Sequence, residues 1–306
     1  MSDQAAPPTS QGLSRFLLFP AITICWGSNW PAIKLSVLEM PIWQYRAVTA
    51  IAAGLVLLGI AWISRRPIMV PRRQWGALLA ISITNVTLWL ILAAYGVKLL
   101  ESGQAALIGY TAPLWVVILA RIFLGEAMTL RKLGAIAIGL GGIVILLWPS
   151  LGAFGDRPVG ILCITGAAMS FGAGTVITKR VKWAVPPMSF AGWHLLIGSI
   201  PIVVIAAATE PFTLHQASAT AWGAAIYTTV IGLVLAYLVW FRTVALFPAG
   251  VASISTLAVP AFGLLSGAAV LGETIGWREL TALVMVLSAV VLVVLEPKRG
   301  LSRAQS

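Results

Sequence analysis

A chain of 306 residues that is 59% hydrophobic and only 9% charged, with a mean hydropathy of +0.97, is not a soluble globular domain, where charged residues run at about 25%. Its length accommodates about ten bilayer crossings of roughly 20 residues with short connections, and leaves no stretch for a separate soluble domain. The net charge of +11 is spread along the chain and not gathered in one patch, which argues against a nucleic-acid partner.

Residues 1–13 form a short polar tail. The run that follows has no small-residue cleavage site before Lys34, so an uncleaved first span is expected. In chain order the apolar runs predict spans at 14–33, 43–63, 74–97, 102–123, 131–148, 160–179, 187–208, 219–241, 250–270 and 277–295, with a second tail over 296–306. The connections alternate in charge. Fifteen Lys and Arg fall on the side of the two tails, among them Arg65, Arg66, Arg72, Arg73, Lys179, Arg180 and Lys182, against Lys34, Lys98, Arg157 and Arg278 on the other. By the positive-inside rule both termini are expected in the cytoplasm.

The chain also contains itself twice. A shift of 147 positions lays Gly103, Ala105, Pro113, Gly125, Glu126, Arg131 and Leu133 on Gly250, Ala252, Pro260, Gly272, Glu273, Arg278 and Leu280 without a gap. The copies are 14–148 and 160–295, each with five predicted spans. Five is odd, so the second copy must enter the bilayer from the opposite face. Inverted repeats of this kind are a ground plan of secondary transporters, with the substrate held between the halves near mid-membrane.

The first span reads Cys25-Trp26-Gly27-Ser28-Asn29-Trp30-Pro31-Ala32-Ile33-Lys34, and Arg46 stands near the start of the second. The fourth and ninth spans each run through a proline to Leu-Gly-Glu, ending at Glu126 and Glu273. On these residues the chain resembles the drug/metabolite transporter superfamily, specifically its EamA-type bacterial exporters, over nearly its whole length. The resemblance implies an all-α polytopic membrane protein of ten transmembrane helices in two inverted five-helix repeats. It also implies that spans one, three, four, six, eight and nine surround a central cavity, that five and ten sit at the packing edge, and that seven lies away from the cavity. An inner (plasma) membrane location and outward movement of amino acids, metabolites, toxic cations or drug-like compounds are further expectations. The polar residues of the third and eighth spans differ between members, so the likeness does not name the substrate.

A polar side chain at mid-bilayer is a functional hypothesis by default. Asn85, near the middle of span three, is the leading candidate for substrate binding, with an interhelical hydrogen bond as the equally available structural role. Trp89 lies one turn on, on the same face. Trp26, Asn29 and Trp30, at spacings of three and four, make a polar and aromatic face in span one, although Trp30 also suits an interfacial aromatic belt. Tyr110 precedes Pro113 in span four, and Thr256 and Pro260 occupy the related places in span nine. Each proline removes a backbone donor, so the pair reads as a hinge or as two passive bends. Met169, Ser170 and Thr175 in span six, with Tyr227 and Tyr237 in span eight, complete an aromatic and hydroxyl lining. Such a lining favours amphipathic or cationic small molecules, while Met169 and Tyr237 serve equally as core.

Glu126 and Arg131, repeated as Glu273 and Arg278, are expected to pair with each other or to cap the helix that follows, where negative charge is favoured. All nine acids fall in tails, loops or helix ends, so a buried carboxylate relay is missing. Arg46 is expected to snorkel toward Glu39. His194 titrates in the right range for proton coupling, but on a span the likeness removes from the cavity. Coupling without an acid dyad and facilitated efflux both remain open. Cys25 and Cys163 read as packing residues. Two histidines on distant segments, with no midplane acid, offer no catalytic constellation, so neither an enzyme nor a metal or other cofactor is expected. The expected function is export of small metabolites by alternating access, with import or exchange on the same fold as the alternative; the expected partners are a small-molecule substrate and bilayer lipid.

Overall fold

A computed structural model describes residues 16–99, 108–109, 111–148, 158–272 and 275–294. Among the described residues every regular element is helical. Six helical stretches are long and apolar enough to cross a membrane: Ile42–Ile63, Arg72–Gly96, Pro158–Arg180, Pro187–Thr209, Ala219–Leu246 and Ala249–Val270. Shorter apolar helices cover Ala112–Leu124 and Leu280–Ala289. The chain is a polytopic membrane protein.

Several predicted spans are not single helices, and the breaks have local causes. The first is α1 (Leu18–Gly27) and α2 (Asn29–Val37), interrupted at Ser28. Pro31 has no N–H to give the carbonyl of Gly27; the Ser266 hydroxyl donates to that oxygen instead, at 3.0 Å. After α3 (Ile42–Ile63), the third predicted span is α4 (Trp75–Ser82), a π-helical segment π1 (Ile83–Leu88) and α5 (Trp89–Leu99). Next come α6 (Ala112–Leu124), α7 (Leu130–Leu147), α8 (Pro158–Arg180) and α9 (Pro187–Thr209). The eighth repeats the pattern of the third as α10 (Ala219–Tyr227), π2 (Thr228–Leu235) and α11 (Ala236–Leu246). Finally α12 (Ala249–Ser255) and α13 (Ala258–Leu271) are separated at Thr256 and Leu257, and α14 is Trp277–Val294.

The duplication is visible in the backbone. Position 83 shifted by 147 is 230, so π1 falls on π2. Gly125 and Gly272, another matched pair, end α6 and α13 at φ 68° and 69°. That left-handed conformation explains why both copies carry Leu-Gly-Glu, since only glycine adopts it without steric penalty.

Glycines set how the repeat partners pack. A Cβ on Gly54 of α3 would lie 2.7 Å from Leu196 Cγ of α9, and one on Gly192 of α9 would lie 2.7 Å from Leu58 Cγ of α3. Higher numbers on one helix meet lower numbers on the other, so α3 and α9 run antiparallel. The same holds for α7 and α14, where Gly134, Gly139 and Gly141 face Leu292, Ala289 and Met285 in turn. Close approach through small residues is the usual means of membrane helix association, because lipid is as apolar as a leucine side chain and gives no hydrophobic drive.

Three carboxylates tie the halves together as crossed helix caps. Glu210 accepts from Trp43 N at 3.0 Å and Gln44 N at 2.9 Å, at the start of α3. Glu39, just before α3, accepts from Ser218 N at 2.7 Å and Ser218 Oγ at 2.8 Å, at the start of α10. Two neighbouring loops thus exchange their caps. Glu126 departs from the expectation: it accepts from Ala249 N at 2.7 Å and Gly250 N at 3.2 Å, capping α12 of the other half, while Thr129 caps α7 through Lys132 N. Its nearest cation is Lys132, at 3.8 Å.

Candidate substrate cavity

A cavity of about 240 Å³ lies at the centre of the bundle. Its walls come from every predicted span except the fifth and tenth; no described residue of α7 or α14 borders it. Span seven contributes Leu195, contrary to the expectation, and span two contributes Arg46, Thr49 and Ala50.

Two amides stand on the cavity wall. Asn85, within π1, is 3% exposed, and neither its Oδ1 nor its Nδ2 has a hydrogen-bond partner among the described residues. Asn29, at the start of α2, is 6% exposed with its Oδ1 likewise unpartnered. Each is accommodated by a glycine of the opposite half. A Cβ on Gly174 of α8 would overlap the Asn85 carboxamide, and one on Gly232 of π2 would lie 2.5 Å from Asn29 Cγ. The 147-residue shift carries Asn85 onto Gly232, the glycine against which Asn29 rests, and carries Gly27 onto Gly174, the glycine against which Asn85 rests.

The π segments that hold these groups are fastened from the second and seventh spans. Tyr45 OH donates to Thr228 Oγ1 of π2 at 2.9 Å, and Thr87 Oγ1 of π1 donates to the Gly198 carbonyl of α9 at 2.8 Å. Short π segments inside α-helices are frequent at functional sites.

The apolar side of the cavity is aromatic. Trp89 packs on Phe171 with centroids 5.6 Å apart, Phe171 on Trp240 at 5.6 Å, Trp240 on Trp26 at 5.5 Å, and Trp26 on Tyr237 at 6.1 Å. Beyond Tyr237 lies His194, fully buried among Phe190, Tyr237 and Phe241, with neither ring nitrogen partnered among the described residues.

Among the described residues Arg46 is the one charged side chain that borders the cavity. It does not reach Glu39, whose carboxylate is taken by Ser218; its guanidinium lies 5.6 Å from the Tyr45 ring centroid. No described carboxylate pairs with it.

Of the residues singled out from the sequence, Trp26, Asn29, Trp30, Asn85, Trp89, Pro113 and Thr256 border this cavity, as does Tyr237. Tyr110 lies outside the described residues. Met169 does not border the cavity and is 42% exposed, because it lies two residues and about 200° of helix from the cavity-facing Phe171. Thr175 is buried on α8 with its hydroxyl given to the Phe171 carbonyl at 2.9 Å. Ser170 bonds its own helix at Ala167. Tyr227 is 39% exposed and its hydroxyl donates to Ser28 Oγ at 2.8 Å, a tie to the break in span one. Pro260 stands one turn past the break at Thr256, where Val259 N donates to the Thr256 carbonyl that the proline leaves without its usual donor. Pro113 follows the start of α6 directly. Among the described residues no cluster of three or more metal-ligating side chains occurs.

Helices able to cross a bilayer, wrapped around a small cavity with amides and rings on its walls, define a membrane protein that handles a small molecule. The EamA-like transporter family model matches residues 14–148 and again 158–295. The chain belongs to that family and is a membrane transporter. It is similar to YvbV of Bacillus subtilis (strain 168), named an uncharacterized transporter, at 25% identity over 90% of each chain. It is also similar to the inner membrane transporter YedA of Escherichia coli (strain K12), at 28% identity over 90% of this chain and 89% of that one. Protein PecM of Dickeya dadantii (strain 3937) is 26% identical over 80% of each. A solved crystal structure superposes with a TM-score of 0.78 over 92% of this chain and 96% of the other; at 19% identity that likeness establishes the fold alone.

Proposed function

We propose that the chain is an inner-membrane secondary transporter, with ten spans in two inverted five-helix repeats and both termini cytoplasmic, that exports small amphipathic metabolites, amino acids among them. Substrate binds between the halves at Trp26, Asn29, Trp30, Asn85 and Trp89, and the cavity opens to one face of the membrane and then the other. Tyr110, in the fourth span, and Thr256, at the break of the ninth, are further substrate contacts, and Pro113 and Pro260, which the repeat superposes and which each remove a backbone donor, are the hinge. Spans three and eight flex at their π segments.

The observation that carries this reading is the Asn85 carboxamide, buried beside the cavity with neither polar atom satisfied. A buried amide left without partners costs about 1–3 kcal/mol, a penalty that a bound ligand removes. The test is export from cells overexpressing the protein, measured as extracellular accumulation across a panel of amino acids and organic ions, and repeated with Asn85→Ala and Trp89→Ala at matched membrane abundance. Both variants are expected to lose most of the accumulation. Wild-type accumulation by both would show that transport does not use this cavity.

A further inference from the structure

Resting on the transport reading of the cavity, we infer that its ligand is an organic anion, a small carboxylate on a flat apolar body, and that Arg46 is the residue that binds the carboxylate.

The argument begins with charge. Among the described residues Arg46 is the only ionic side chain on the cavity wall, and a guanidinium is a permanent cation. It is half-buried, and taking a charge partly out of water is costly unless a counter-ion is close. The described acids at the start of α3 hydrogen-bond elsewhere: Glu39 to Ser218, and Glu210 to Trp43 and Gln44. Among the described residues no carboxylate forms an ion pair with Arg46, and the ligand supplies the counter-ion. A cationic substrate meets the reverse situation, with a fixed positive charge in the wall and no carboxylate to offset it.

Geometry agrees with charge. Thr49, one turn along α3 from Arg46, also borders the cavity, and its hydroxyl donates to the Tyr45 carbonyl at 2.8 Å. That fixes the turn presenting Arg46. Trp26, Trp89 and Phe171 border the same cavity, ring surfaces suited to a planar apolar body. Asn29 and Asn85 add uncharged polar atoms without partners, which accept or donate to whatever second polar group the ligand carries. At about 240 Å³ the cavity falls below the roughly 300–1,000 Å³ of drug-sized sites, so the body is of single-ring or indole size. Guanidinium and carboxylate match as a two-pronged pair, which an ammonium of the same charge does not reproduce.

The experiment is calorimetric titration of the purified full-length protein in nanodiscs at pH 7.5 with three ligands of nearly one shape: phenylacetate, phenylacetamide and phenethylammonium. Indole-3-acetate and its amide serve as a second pair. Wild-type protein is expected to bind each acid at least about tenfold more tightly than its amide, and the ammonium most weakly. In Arg46→Gln the acid should fall to the affinity of the amide, while amide binding stays within about twofold and so reports an intact cavity. Arg46→Lys should fall between, keeping the charge and losing the fork. Equal binding of acid and amide by the wild type, or an acid preference that survives in Arg46→Gln, would overturn the assignment to a carboxylate while leaving the cavity a ligand site. Failure of every probe to bind the wild type overturns it too. The transport reading is judged separately, by export in Asn85→Ala and Trp89→Ala.

Discussion

Helices α3 and α9 are repeat partners that cross antiparallel through reciprocal glycine-to-leucine contacts, yet they bring opposite chemistry to the centre. From α3 come Arg46 and Thr49, facing the cavity. From α9 comes only Leu195, and the next residue back, His194, is turned into a cage of Phe190, Tyr237 and Phe241. The position related to Arg46 by the 147-residue shift is Trp193, whose indole donates to the Ile68 carbonyl at 3.0 Å and packs on Trp75 at 5.9 Å, away from the cavity. Duplication has therefore kept the frame symmetric and let the charge become one-sided. Under the alternating access proposed above, matched breaks in the frame serve both conformations, whereas recognition of one ligand needs no symmetry.

The comparison is broken most severely at the frame. Gly174→Ala places a methyl group in the Asn85 carboxamide, and Gly232→Ala crowds Asn29 in the same way. Overpacking of this kind costs about 1–3 kcal/mol, to be read as a lowered melting temperature in detergent. Asn85→Ala combined with Gly174→Ala should recover part of the loss, since the clash is then removed; a Gly174→Ala protein that melts like the wild type would show that the fit is not tight.

A smaller effect is expected at the break in span one. Ser266→Ala leaves the Gly27 carbonyl without the donor it has in place of residue 31, a loss of about 0.6–1.7 kcal/mol for a hydrogen bond between membrane helices. Adding Pro31→Ala returns a backbone N–H to that carbonyl. The double variant is therefore expected to melt above Ser266→Ala alone, and a further drop would contradict this account of the break.

The smallest effect lies at the exchanged caps. The backbone N–H of Ser218, and after it the Ser218 hydroxyl, hold the Glu39 carboxyl below its ordinary pKa. A carboxylate lowered on folding stabilises fully above its unfolded pKa, and the contribution is lost as pH falls through the lower, folded value. Wild type should thus melt slightly above Glu39→Gln at neutral pH, and the two curves should converge as pH falls below about 4. A constant gap across that range would mean that the charge on Glu39 is not what matters.

Much of the cavity was readable in the sequence because a membrane makes polar and aromatic residues conspicuous. Asn29 and Asn85 stand out among apolar neighbours, and helical spacing ties Trp26, Trp30 and Trp89 to them. The glycine ends of α6 and α13 follow from the repeated Leu-Gly-Glu. What stayed hidden depended on how helices cross. One turn from the end of a span, Arg46 reads equally as a side chain reaching for water; the crossing of α3 with its neighbours turns it inward. Glu126 announced a cap, but nothing local says that the capped helix is α12. Met169 fails on helical phase, which an apolar segment such as α8, without a polar stripe, does not reveal. The π segments carry no proline, although both fall on runs crowded with β-branched residues, Ile83-Thr84-Asn85-Val86-Thr87 and Thr228-Thr229-Val230-Ile231. Stiff side chains of that kind crowd the preceding helical turn.

The claim that two like halves face each other in opposite senses across the bilayer is tested most directly at Met128 and Ile275, which the repeat superposes and which are 38% and 39% exposed. Each would be replaced by cysteine in a chain lacking Cys25 and Cys163, and intact cells treated with a membrane-impermeant thiol reagent. Ile275→Cys is expected to react in intact cells, and Met128→Cys only after the membrane is opened. Reaction of both from the same side would contradict the inverted arrangement and the shared cavity built on it.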